Sequence, residues 1–213
     1  MPLARDLTKF TTASQILTNF DFTDVLTNSA YILAYGLRDE DSNDTMIRQQ
    51  LKSTEVADTI LAGGGGTAEE EYNFDFDFDT TETIEGTMYV AITHVVTGVG
   101  AQGTGHVVVR ILHVDSGATE TEIGAAVTSR NVAANAGATK GQRTTLSWSG
   151  IDQRFKKGEK LRVEVVSHIT SANASSSNQV YFDGGNRDVS GVADQHGATL
   201  DTNLILYMPL RLQ

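Results

Sequence analysis

The chain alternates without a break through Tyr72-Asn73-Phe74-Asp75-Phe76-Asp77-Phe78-Asp79, with an aromatic ring at every second position and a polar group between. Successive side chains of an extended strand point to opposite faces, so this period predicts a strand with one buried and one wet face. Similar patterns over residues 87–96, 106–114, 120–128, 142–149, 161–169, 179–182 and 202–212 predict seven more strands. Loops rich in Gly, Asn, Ser and Ala separate them, and no helical segment is long enough to make a parallel crossover. The pairing should therefore be mainly antiparallel, in two sheets packed face to face. Parity assigns Phe74, Phe76, Phe78, Leu161, Val163, Val165, Leu204, Leu206, Met208, Leu210 and Leu212 to the core. It turns Asp75, Asp77, Asp79, Arg162, Glu164, Tyr207 and Arg211 to solvent.

Upstream, Ala30-Tyr31-Ile32-Leu33-Ala34-Tyr35 reads as a strand, while Met46 to Leu61 fits either a helix or two short edge strands, with strand preferred. Gly63-Gly64-Gly65-Gly66 marks a sub-boundary, and Glu69, Glu70 and Glu71 keep its exit in water. Before these lies an apolar arm carrying Leu3, Leu7, Phe10, Ile16 and Leu17, in which four threonines weaken any helix. The expected organisation is an arm over residues 1–27 and one β-sandwich over residues 28–213. The fold class is all-β: an antiparallel β-sandwich, specifically a jelly roll of about eight strands, with an N-terminal arm.

Charge and composition then narrow the function. A net charge of −11 on 213 residues, with no stripe among the 16 basic residues, argues against direct nucleic-acid binding. The absence of cysteine removes thiolate chemistry and disulfides, leaving packing or association as the source of stability. No stretch is apolar enough for a membrane helix, and Met1 to Lys9 lacks the apolar core of a secretory signal, so assembly in a cytoplasm and no membrane partner are expected. The densest basic cluster, Arg154, Lys156, Lys157, Lys160 and Arg162, surrounds a turn that also contains Glu159 and reads as a solvated loop.

The motifs that could carry chemistry fail on context. Gly98-Val99-Gly100-Ala101-Gln102-Gly103 matches a dinucleotide fingerprint but leads into a β-branched strand instead of a helix, so a flexible hairpin loop accounts for it. Asp39, Asp41 and Asn43 open like a calcium loop, yet Asp44 and Gln50 occupy the positions of the required glycine and bidentate glutamate. His94 and His106 could approach across a hairpin, with His113 and His168 on other strands, but no carboxylate is fixed beside them by spacing. Ser147-Trp148-Ser149-Gly150 does not fit a nucleophile elbow, and Trp148 is better placed in a core. No enzymatic activity, cofactor or metal site is expected.

From Phe20 onward the chain resembles a loose group of virion structural proteins of tailed viruses of bacteria and archaea. The resemblance rests on Phe20-Asp21-Phe22-Thr23-Asp24, Phe74 to Phe78 with Gly86, Thr119-Glu120-Thr121-Glu122-Ile123, Phe155 to Leu161, Asp183-Gly184-Gly185-Asn186-Arg187 and Leu204 to Leu210. It implies a capsid decoration or cement protein, trimeric, that binds the major capsid protein on the outside of an icosahedral shell in the virion. Leu3, Leu7, Phe10, Ile16 and Leu17 would then be its assembly contacts. A tail, adaptor or fibre protein and a carbohydrate-binding jelly-roll module are the alternatives, although 7% aromatics, several of them core-facing, leave few for an exposed platform.

Overall fold

The computed structural model describes residues 29–38, 44–49, 57–63, 65–182, 188–193 and 199–211. The arm contacts Leu3, Leu7, Phe10, Ile16 and Leu17, the triplet Asp39, Asp41 and Asn43, the loop 183–187 and Leu212 lie outside these residues.

Eight long strands carry the architecture: β1 (Ser29–Arg38), β4 (Gly66–Asp77), β5 (Glu82–Thr97), β6 (Gly103–Val114), β7 (Glu120–Thr128), β9 (Thr139–Phe155), β10 (Lys160–Ser171) and β14 (Leu204–Arg211). Antiparallel pairing sets the order β1-β14-β5-β9 in one sheet. In the other it sets β4-β10-β6-β7. Counted along the chain these strands run 1-8-3-6 and 2-7-4-5, the winding of a jelly roll. Six short strands complete the fold: β2 (Asp44–Ile47), β3 (Ala57–Leu61), β8 (Val132–Ala134), β11 (Ser177–Tyr181), β12 (Asp188–Ala193) and β13 (Thr199–Asp201). On one flank β2 pairs with β1 and bridges to β4 through Thr45 and Asp75, joining the sheets. On the other flank, Trp148 of β9 donates its Nε1–H to the Ala125 carbonyl of β7 at 2.9 Å.

The core follows the parity of the sequence. Phe74, Phe76 and Phe78 stand beside Leu161, Val163 and Val165 on the inner face of one sheet, in a cluster that also takes Leu204, Leu206 and Met208 of the other. Burying each large side chain contributes roughly 1.5–3 kcal/mol. The rings also meet one another: Phe78 stacks on Phe155 at 4.4 Å, and Phe182 lies 4.8 Å from Tyr72 and 5.1 Å from Phe74. At the joined flank, the Arg38 guanidinium sits over Tyr72 and Phe182 and donates to Asp58 at 2.7 Å, tying β1 to β3.

Several expectations need correction. β4 begins at Gly66, so Glu69 to Glu71 belong to a strand, because β10 pairs with every residue from Gly66 to Asp77. Such pairing overrides the low strand propensity of glutamate. Gly98 to Gly103 is no hairpin loop but an arch that carries the chain from one sheet to the other. A Cβ on Gly98 would overlap the carbonyl oxygens of Ala134 and Asn135, so close backbone packing explains that glycine. Glu164 and Glu159 are buried rather than solvated.

Candidate functional site

The two outer faces of the sandwich differ in chemistry. On the first sheet, direct cross-strand partners place whole rows of side chains on one face. One row runs Tyr35, Ile205, Ala91, Thr145, the next Leu33, Tyr207, Tyr89, Ser147, and a third begins Tyr31, Pro209. These ten positions hold four of the chain's 6 tyrosines and no charged side chain, in a molecule with a net charge of −11. Tyr31 is 37% exposed, and its ring centroid lies 6.3 Å from that of Tyr89. Tyr35, Tyr89 and Tyr207 are half-buried. Burial, and then the neighbouring Tyr207, raise the Tyr35 phenol above its usual range. Further up the same sheet, Val189 and Leu200 of the β12–β13 hairpin pack on Val95 and Tyr181. A platform of this kind was not expected: Tyr207, which parity assigns to solvent, is joined by tyrosines of β1 and β5 through a pairing that no single segment encodes.

The opposite face carries the acidic groups. Its rows run Asp77, Lys160, Val114, Glu120, then Asp75, Arg162, Leu112, Glu122, then Asn73, Glu164, Arg110. Arg162 grips Asp75 through Nε at 2.6 Å and Nη2 at 2.9 Å and also pairs with Glu120. Burial would raise the Asp75 carboxyl, but the hydrogen bonds and charge of Arg162, helped by Lys160, outweigh it and hold it below the usual carboxylate range. Glu164 accepts from Arg110 at 2.8 Å, while burial and the nearby Glu71 push its carboxyl up. Most of these carboxylates have cationic neighbours, which is the ordinary pattern of a solvated sheet.

The histidines do not assemble. His94 is enclosed between the sheets. His106 and His168 stack at 4.6 Å on the charged face, with His168 Nδ1 3.3 Å from Glu69. His113 sits at the far end, donating from Nε2 to Glu159 at 2.8 Å and accepting from Gln153 at Nδ1. Glu159 also accepts from the Lys156 backbone N–H, the largest cause holding its carboxyl low, so this buried carboxylate shapes the β9–β10 turn. Among the described residues no group of three or more His, Asp or Glu side chains is placed to hold a metal ion. Ser147 and Ser149 flank the buried Trp148 on β9.

No protein-family model and no curated protein sequence matches the chain. Solved structures do. A CocE/NonD family hydrolase from Staphylococcus aureus shares the fold at a TM-score of 0.51 and 12% identity, over 86% of this chain and 37% of its own. An aminopeptidase from a marine sediment Thaumarchaeota archaeon does so at a TM-score of 0.53 and 8% identity, over 87% of this chain and 37% of its own. The chain thus spans a little over a third of these proteins' length. A likeness to infectious bursal disease virus, Gx strain, reaches a TM-score of only 0.22 at 15% identity, over 74% of this chain and 36% of that one.

These neighbours overturn two expectations. The solved structures that share its fold at a TM-score above 0.5 are a hydrolase and an aminopeptidase, which corrects both the reading as a virion decoration protein and the reading that sets the chain apart from enzymes. The physical reason is that strand runs and glycine turns specify a jelly roll, and a jelly roll hosts unrelated functions. At 8% and 12% identity the likeness establishes the shared fold.

Proposed function

We propose that this chain is a jelly-roll module of a hydrolytic protein system, and that it contributes its tyrosine-bearing face as the surface on which a second polypeptide unit docks. The observation that carries this reading is the convergence of Tyr31, Tyr35, Tyr89 and Tyr207 in three adjoining rows of one sheet face that hold no charged side chain. Tyrosine supplies large contact area at small entropic cost and a hydroxyl that can be satisfied at a wet rim, which is why it concentrates in interfaces. The sizes agree. In the two hydrolases a sandwich of this fold accounts for 37% of the chain, so there it is accompanied by further polypeptide. The partner this face fits is an apolar polypeptide surface.

The test places a photo-crosslinking amino acid at Tyr89 in the full chain, expressed in its source cells. The expected product is a covalent adduct with a polypeptide that hydrolyses ester or peptide substrates once isolated. Adducts confined to further copies of this chain would replace the reading with self-association, the homo-oligomer expected from the sequence. Hydrolysis by the purified chain alone, lost on changing its own acidic or histidine residues, would move the chemistry onto the sandwich itself.

A further inference from the structure

His94 lies on the inner face of β5 with no surface exposed. Its surroundings fix the ring's proton. The Asn178 amide nitrogen lies 3.2 Å from the His106 carbonyl, 3.0 Å from the His168 carbonyl and 3.1 Å from Ser167 Oγ. Carbonyls only accept, so the nitrogen must point to them and Asn178 Oδ1 must face His94. That oxygen also only accepts, which makes His94 Nδ1, 3.1 Å away, the protonated nitrogen.

Burial holds the imidazole neutral, lowering its pKa to about 4. Nε2 is then a bare acceptor, and among the described residues it has no hydrogen-bond partner. Gln142, paired directly with His94 across β5 and β9, has an Oε1 that is likewise buried without a partner. Directly paired residues share a face with their Cβ atoms roughly 5 Å apart, close enough for one small molecule to span the two polar ends. Here two buried acceptors sit on paired positions of neighbouring strands, and buried polar groups of this kind are regularly satisfied by internal water.

We propose that the sandwich contains a built site for a two-proton donor, a single internal water that gives one hydrogen to His94 Nε2 and the other to Gln142 Oε1. The water extends the Asn178 clamp. It links β9 through β5 and β11 to the carbonyls of β6 and β10, so that hydrogen bonds cross the core from one sheet to the other.

The test is a crystal structure of the full chain at a resolution that shows ordered waters, with NMR of 15N-histidine-labelled protein. The expected result is density for one water bonded to both atoms, a His94 ring protonated at Nδ1 only, and cross-relaxation between that water and the ring. Gln142→Leu should abolish the water signal and leave the tautomer unchanged. A ring protonated at Nε2, or a Gln142 amide turned to donate directly to Nε2, overturns the proposal. Should Gln142→Leu fail to fold, the wild-type map decides alone: an empty site refutes it.

Discussion

His94 is the residue whose charge the fold controls most firmly. Its pKa falls from an ordinary 6.5 to about 4, because burial opposes the charged ring. The group facing it most closely is the neutral Asn178, and the one charge-bearing neighbour that bears on it is His106, whose own protonation is disfavoured by burial and by His168. The unfolded chain therefore binds a proton that the folded chain refuses between pH 6.5 and 4. His94 stabilisation is complete above that window and lost as pH falls through it, by about 3 kcal/mol in all. Denaturant unfolding at a series of pH values should show this loss in the wild type and a shallower slope in His94→Gln, where no imidazole titrates. Equal slopes would refute the assignment. Little of this was legible in the sequence: a lone histidine amid Ile92 and Val96 carries no sign that Asn178, far along the chain, will fix its tautomer. The parity of Phe74, Phe76 and Phe78 was legible, since the strand period alone places them. Glu164 keeps its outer-face parity but is buried there, its carboxylate accepting from Arg110 of a different strand, a contact the strand period does not encode.

At the level of elements, the jelly roll depends on the flank where β7 and β9 meet without pairing. Trp148 fills that flank, buried at 4% exposure, with its indole bonded to Ala125. Trp148→Ala should cost about 3–5 kcal/mol, as for other buried large-to-small changes. Calorimetry would read this as a marked fall in Tm; a variant as stable as the wild type would show that the flank is closed by other contacts. The arch between β5 and β6 makes a second prediction. Gly98 donates to the Ala138 carbonyl at 2.9 Å, accepts from Gly137 at 2.7 Å, and has no room for a methyl group. Gly98→Ala should therefore destabilise by about 1–3 kcal/mol through forced backbone movement, and an unchanged denaturation midpoint would mean the arch is slack. The long strands could be read from the sequence because each carries its own alternation. The short strands β8, β12 and β13 could not, since three to six residues hold too little pattern and their pairing is supplied by β6 and by each other.

The whole molecule presents a charged face and a tyrosine face back to back. The strand list predicted the sandwich, but which strands become neighbours is set by closure of the two sheets, and only that closure brings β1, β14 and β5 side by side. For the same reason the resemblance to virion proteins, built from strand and turn fragments, described an architecture and not a role. If the tyrosine face is a docking surface, Tyr89→Ser with Tyr207→Ser should cost about 1–2 kcal/mol of stability, as expected for half-buried positions, while docking affinity falls at least about tenfold, as loss of central aromatic contacts does. Docking retained at full strength in a folded double variant would move the interface elsewhere. The most direct measurement is hydroxyl-radical footprinting of the chain in its native assembly against the isolated chain. The account predicts protection of Tyr35, Tyr89 and Tyr207, with the exposed side chains of the charged sheet unchanged; protection of the charged sheet, with the tyrosines labelled equally in both states, would contradict it.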